Sequence, residues 1–519
     1  MNAQNDSDLN HYLKILVKSS LFIFLATVIS KLASYGYKIL IARSFGAEVY
    51  GLFSLALIVI SIAASIATLG LGEGLVRYIS LYRGKKDLES AKKLIITSRN
   101  IFFILGLIFT IILILIAPIL AEKVFHSNDF TTLFIEMVFA FPFILLATAY
   151  LSTLRGFERV KTYSALVNIY QNTFRFVVLA VLILAGIGEL SISISYIITF
   201  IGLFLLARHY SKKDLDKIIL KDNSGSKKII YEALNYCWPL LFVGIFYSIF
   251  YWTDSLMLGF FTDVKHVGIY SAAITIISLF SIAPDLFMQL FFPLVSFKMS
   301  EGKKEIVKGI TQQVTKWIYL LNIPIFLILI IFPEKLLLLL FNDKFLEAVL
   351  PLQILSLGAL FASIIGLSIN LLSIIGKTRL ILRNFIALTG LNIILNLILI
   401  PKYGMIGASI ATLITWIVFC IVILYQVFRN YKFNIFRGYF WKLIIITSLV
   451  FVIGLWVKNN IVDSITRSIL LGIGLMIIYF FALYLFNVFD KEDKEIMRSI
   501  RSKILIGKGL NNHIKELSL

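Results

Sequence analysis

The chain has 519 residues, of which 59% are hydrophobic and 15% charged, with a formal net charge of +20. A soluble globular protein of this length does not have that composition. Apolar runs of roughly 18 or more residues recur along it, which predicts an all-α polytopic membrane protein, while the alternation of a β-barrel is absent.

Fourteen transmembrane helices are expected, at 15–42, 51–76, 98–121, 131–153, 163–187, 190–207, 233–260, 267–297, 312–333, 347–375, 380–400, 404–428, 440–457 and 465–488. The first is read as a span and not a cleaved leader, because it is long, contains Lys31 and Lys38, and lacks a small-x-small cleavage site. With the N-terminus inside, roughly three-quarters of the 49 lysines and arginines fall in inner segments and fewer than one in five in outer turns. The basic charge is therefore topological, with attraction to anionic headgroups as a side effect, and nucleic-acid binding is excluded. Both termini are expected in the cytoplasm, with the protein in a prokaryotic plasma membrane.

The turn Ile41–Phe53 recurs. Gly51, Ser54, Ala56 and Ile60 match Gly268, Ser271, Ala273 and Ile277 without a gap, which suggests a duplicated helical unit of the kind that builds secondary transporters. Two pseudo-symmetric six-helix bundles follow, at 1–210 and 231–428, joined by a charged cytoplasmic linker at 211–230 containing Asn-Ser-Gly-Ser. Helices 13 and 14 occupy 429–488. The basic tail 489–519 is read as an inner-leaflet surface helix or a disordered segment.

Several spans carry polar faces. Lys31, Ser34, Tyr35 and Lys38 recur at i, i+3, i+4, i+7, as do Asn168, Gln171, Asn172 and Arg175. A cation at the bilayer centre costs about 2.5–3.5 kcal/mol on insertion scales, so the two faces predict a hydrated cationic cavity between first-half helices. Tyr247, Tyr251, Asp254 and Ser255 share a face of the seventh span. Asp254 and Lys38, at similar depth, are expected to pair as a gate or as a static contact. Asp285, after Pro284 in a kinked span with Gln289, is a proton or cation site or a structural cap. Glu73 and Arg77 are expected to pair, Lys316 to snorkel to the inner headgroups, and Asn392 and Asn396 to hydrogen-bond between helices. Cys237 and Cys420 are read as buried apolar thiols. Fixed cations with tyrosines and amides suit an anion bearing hydroxyl groups, such as a sugar-linked phosphate or diphosphate. No phosphate-binding Gly-x-x-x-x-Gly-Lys-Ser/Thr loop is present, which removes ATP hydrolysis, and the outer turns are too short for a membrane glycosyltransferase.

The sequence resembles the polysaccharide and oligosaccharide lipid flippases of the multidrug/oligosaccharidyl-lipid/polysaccharide exporter superfamily, over about residues 15–490. The resemblance rests on Ala42-Arg43, Phe45-Gly46, Tyr50-Gly51-Leu-Phe, Gly70-Leu-Gly and Arg77-Tyr-Ile-Ser. It continues in Asp254, Gly268-Ile-Tyr, Phe292-Pro293, Gly376-Lys377, Asn396 and Pro401-Lys-Tyr-Gly404-Met-Ile-Gly407-Ala-Ser. It implies two bundles around a lumen, alternating access without ATP, and translocation of a polyprenyl-(di)phosphate-linked glycan from the inner to the outer leaflet. It also implies helices 13 and 14 beside a lipid-tail groove. Lys31, Tyr35, Lys38, Asn168, Gln171, Asn172 and Arg175 are the expected substrate-binding residues, with Asp254 and Asp285 in gating or coupling. No cofactor is expected beyond a coupling proton or sodium ion. The expected partners are the lipid-linked glycan, membrane lipids and glycan polymerases or glycosyltransferases, around a monomeric transporter. Three readings stand beside it: a cation-coupled multidrug antiporter, a flippase for the lipid II-type cell-wall precursor, and a membrane enzyme of glycan assembly.

Overall fold

The computed structural model describes residues 2–216, 218, 226–436, 438–461, 464–490 and 493, with side chains described from residue 28 on apart from a few within helices. The described residues are helical throughout, with no strand among them. The first half holds α1 (Asn2–Ala67), α2 (Leu71–Gly84), α3 (Leu88–Ile119), α4 (Asp129–Val138), α5 (Phe141–Gly156), α6 (Val160–Ser164), α7 (Gln171–Leu184) and α8 (Leu190–Leu215). The second half holds α9 (Ser226–Phe261), α10 (Val264–Ile277), α11 (Ile282–Ser300), α12 (Lys304–Ile331), α13 (Pro333–Leu340), α14 (Val349–Ala362), α15 (Ile365–Ile374) and α16 (Thr378–Tyr431). Finally, α17 (Tyr439–Ile461) and α18 (Ile465–Leu485) pack beside α12.

Two of these helices are hairpins. Residues 16 apart in a straight helix lie about 24 Å apart, yet the Tyr37 and Phe53 rings of α1 are centred 5.7 Å from each other. The chain folds back at Gly46, whose φ of 88° a residue with a Cβ adopts only with strain. In α16 the Asn384 amide donates to Gln426 at 2.7 Å across 42 residues, and the reversal falls at Gly404, φ 54°. Eleven helices among the described residues are long and apolar enough to cross a membrane, against the fourteen single spans expected. The difference arises because each hairpin is one continuous assignment and α9 includes side chains outside those described.

The duplicated turns meet face to face. A Cβ on Gly51 would lie 2.0 Å from the Val264 carbonyl oxygen, and one on Gly268 would lie 1.8 Å from that of Ala47. Each glycine thus sits against the residue four before its counterpart, so the contact is reciprocal. Around it Tyr50 shares a hydrogen bond with Thr275 at 2.9 Å. The Arg43 guanidinium reaches across from the Gly46 turn to donate to the Leu339 and Phe341 carbonyls, both at 2.8 Å. Those carbonyls end α13, where helical partners run out.

Pro284 breaks its span as expected. A short 3₁₀ turn at Ser278–Ser281 precedes α11, and the Phe280 carbonyl, which proline cannot engage, accepts instead from Asn322 Nδ2 at 3.0 Å. Other pairings differ from the sequence reading. Glu73 pairs with Arg155 at 2.6 Å, while Arg77 lies over the Tyr236 ring, 3.7 Å from its centroid. Lys316 does not snorkel: it is fully buried and pairs with Asp493 and, at 2.9 Å, with Asp490. Gln313 and Trp317 also donate to Asp493, so acids just past α18 neutralise this lysine and tie that end to α12. The linker is shorter than expected because α8 runs to Leu215 and α9 begins at Ser226. The tail reading lies outside the described residues except at Phe489, Asp490 and Asp493. Both cysteines are free and buried.

Replacing Gly51 or Gly268 by alanine is expected to destabilise the protein by about 1–3 kcal/mol or more, because backbone must move. Gly390→Ala, where a Cβ meets nothing within 4 Å, is expected to be neutral or to stabilise by up to about 1 kcal/mol through helix propensity. Thermal melting of the purified variants in detergent reads both.

Candidate functional site

Two polar systems lie where the halves meet. The first gathers around Lys31 and Lys38. Lys31 donates to Ser281 Oγ at 2.8 Å and lies 3.4 Å from the Asp285 carboxylate, so the first half grips the kinked span of the second. Tyr35, one turn on, accepts from Ser278 Oγ at 3.0 Å. Lys38 lies within electrostatic range of Lys31 and Arg175, and among the described residues it has neither a hydrogen-bond nor an ion-pair partner. Arg175 is 9% exposed, stacks its guanidinium 4.5 Å above the Tyr37 ring and leaves its Nε without an acceptor. Asn172 donates to Ser30 at 2.8 Å and accepts from Arg175 at 3.5 Å. Asn168 turns to Ser164 on its own helix, and Gln171 is partly buried at the start of α7.

The second system is closed. Asp254 accepts from four donors: Asn396 at 2.8 Å, Tyr270 at 2.9 Å, Asn392 at 3.4 Å, and Thr412. Asn392 and Asn396 do act between helices, as their one-turn spacing suggests, and their common acceptor is this carboxylate. Lys38 does not pair with Asp254. Polar side chains of α10 and of both arms of α16 converge on Asp254 and satisfy it, while Asp285 is the acid that meets Lys31. The Asn396 Oδ1 is buried without a donor. With one carboxylate and otherwise neutral oxygens, the donor set suits a proton or a monovalent ion better than a divalent one.

A cavity of ≈ 410 Å³ connects the two systems, with Lys31 and Asp254 both in its wall. Apart from Lys31 it is lined by second-half residues, whereas the sequence reading placed a cavity among first-half helices. There the amide faces close on themselves through Asn172–Ser30 and Asn168–Ser164, and Arg175 is covered by Tyr37. Sequence reasoning missed Ser278, Ser281, Tyr270 and Thr412. The first two are hydroxyls on the turn that Pro284 forces, Ser278 donating to Tyr35 and Ser281 accepting from Lys31, a signal that was present. Thr412 sits in an apolar run with no local mark, and Tyr270, though part of the Gly268-Ile-Tyr motif, carries nothing that marks it as a partner of Asp254.

Asp254→Leu would strand buried donors, each costing about 1–3 kcal/mol, and is expected to lower stability by about 3–5 kcal/mol. Asp254→Asn keeps the shape and half the acceptors, and is expected to cost less than half as much in the same melts.

Comparison with known proteins agrees with this architecture. The profile of the family described as polysaccharide biosynthesis protein matches residues 16–297, and that of the MatE family matches 239–398. The "Uncharacterized membrane protein MJ1068" of Methanocaldococcus jannaschii is 24% identical over 89% of this chain and 94% of its own. The "Probable low-salt glycan biosynthesis flippase Agl15" of Haloferax volcanii is 29% identical over 34% of this chain and 36% of its own. Among solved structures, the lipid II flippase MurJ in an inward closed conformation superposes with a TM-score of 0.72 at 19% identity. That match covers 90% of this chain and all of MurJ.

Proposed function

The chain belongs to the polysaccharide biosynthesis protein family, and from that premise we propose that it is a flippase for polyprenyl-(di)phosphate-linked glycans, moving them from the inner to the outer leaflet by alternating access. The observation that carries the reading is the cationic group of Lys31, Lys38 and Arg175, in which Lys38 has no ion-pair partner among the described residues and Arg175 keeps a free Nε. An unpaired cation inside a bilayer is costly, and a phosphate anion is the ligand that removes the cost. Relatives named as flippases support the same substrate class. The bias of basic residues supports a plasma-membrane protein with both termini in the cytoplasm. The work proposed for it is transport, as in the relatives named as flippases.

In this scheme Lys38 and Arg175 hold the phosphate, and Lys31 releases Asp285 as the anion arrives, loosening the contact between the halves. Asp254, wholly in the second half, takes up a proton or a monovalent cation and couples its movement to the return of the empty transporter. The aromatic and acidic cavity favours a second reading, a cation-coupled antiporter of organic cations. The first-half charges oppose it, because they repel such a substrate.

Purified protein in liposomes with a fluorescent polyprenyl-diphosphate oligosaccharide tests the proposal. Wild type is expected to translocate it. Lys38→Gln and Arg175→Gln are each expected to slow translocation about 10- to 100-fold, the equivalent of one charge-assisted hydrogen bond. Unimpaired flipping in both variants would move the headgroup elsewhere, and export of an organic cation in place of flipping would favour the second reading. A lipid II arm tells a cell-wall precursor from other glycans.

Coupling has its own readout. A proton or sodium gradient is expected to accelerate wild-type transport but not Asp254→Asn, which should retain downhill movement. An unchanged gradient response in that variant would remove Asp254 from coupling.

A further inference from the structure

One wall of the cavity is aromatic. Tyr247 and Tyr251, a turn apart on α9, stack with ring centroids 6.3 Å apart and planes 18° apart. Phe385, from the first arm of α16, meets Tyr247 edge-on at 6.0 Å. The two tyrosines are 53% and 47% exposed although both sit in the body of the helix bundle, because their free surface faces the cavity. Polar groups of the same cavity include Ser278 and Ser281 on the kinked span that Lys31 grips, and Asn392 and Thr412 on α16.

We infer that this cavity is the glycan subsite, in which Tyr247 and Tyr251 stack on the sugars next to the phosphate. The inference rests on the flippase reading and adds to it where the carbohydrate sits and what holds it. Aromatic faces carry partial negative charge and attract the edge of positive C–H bonds. A sugar ring presents C–H bonds on its faces and hydroxyls around its rim, so it matches an aromatic wall bordered by hydroxyls and amides. A lipid tail would match the rings but make no hydrogen bond to the hydroxyls and amide at that rim. An organic cation needs a carboxylate turned towards it, and the oxygens of Asp254 already accept from four side chains. Position agrees as well. In a glycosyl diphosphate a single oxygen joins sugar to phosphorus, so a diphosphate held by Lys38, within electrostatic range of Lys31, brings the first sugar towards the cavity that Lys31 lines. The volume of ≈ 410 Å³ falls low in the range of about 300–1,000 Å³ that takes small ligands. It has room for the proximal sugars and none for a polymer.

The test compares farnesyl diphosphate with the same lipid carrying a disaccharide, by calorimetry on the full chain in detergent. Three variants are used: Tyr247→Ala with Tyr251→Ala, the corresponding pair of Tyr→Phe changes, and Gly366→Leu. Gly366 lines the cavity, and a Cβ there meets nothing within 4 Å. Leucine therefore fills the space without a clash and improves helix propensity. Wild type is expected to bind the glycosylated lipid at least about tenfold tighter, roughly the worth of one or two aromatic contacts. The alanine pair and Gly366→Leu are expected to erase that preference while binding the bare diphosphate as before, and the phenylalanine pair to keep it. If the alanine pair does not fold, Gly366→Leu decides. A sugar preference that survives filling the cavity overturns the inference but leaves the flippase reading intact. Failure of wild type to bind either lipid removes both.

Discussion

The two halves touch most closely at a pair of glycines, and the architecture is arranged around that contact. Gly51 and Gly268 bring two helix backbones so near that a single methyl group would meet a carbonyl oxygen. At this range the attraction is dispersion with weak Cα–H···O contacts, modest in energy and demanding in geometry. It fixes one point about which the halves are related, from which side chains can reach across. Arg43 does so at the Gly46 end and Lys31 deeper in. A contact without directional side chains can also persist while the helices pivot, which a transporter that reorients its halves requires.

The polar groups of the interior divide by whether the fold satisfies them. Asp254 is ringed by donors from its own half, and Lys316, equally buried, is answered by two acids beyond α18. These are finished networks, whose members must be present for the second half to hold together. Lys38 and Arg175 are unfinished among the described residues, and Lys31, within electrostatic range of Lys38, lines a cavity. A buried group left incomplete in a chain that completes others nearby marks the place where the missing partner comes from outside.

The sequence made the helices, the duplication and the polar faces legible, because each depends on local periodicity or on matching residues. Lys31, Lys38 and Arg175 stood out since charge in an apolar run is conspicuous. Pairing was less legible, because it depends on which helices become neighbours. Lys31 meets Asp285 over 250 positions away, and Lys316 meets an acid near the end of the chain, so neither distance nor depth along one helix discloses the match. The assignment of Lys38 to Asp254 failed for this reason: Asn392, Asn396 and Thr412 are the groups that the fold brings to Asp254. The hairpins at Gly46 and Gly404 were read as turns between separate spans, and the structure makes them reversals with almost no loop.

The Gly46 hairpin bears on how the protein is made. Ribosomes deliver the chain in order, so the arms of α1 enter the bilayer well before Asp285 has been synthesised. During that interval Lys31 and Lys38 carry an insertion cost of about 2.5–3.5 kcal/mol each on translocon scales, with no acid from the second half to offset it. The reversal at Gly46 joins the arm that carries them to the largely apolar arm that follows, the two meeting at Tyr37 and Phe53, and insertion as one hairpin shares the cost over both arms. Biogenesis of this membrane protein therefore depends on a turn that the finished transporter uses chiefly for packing.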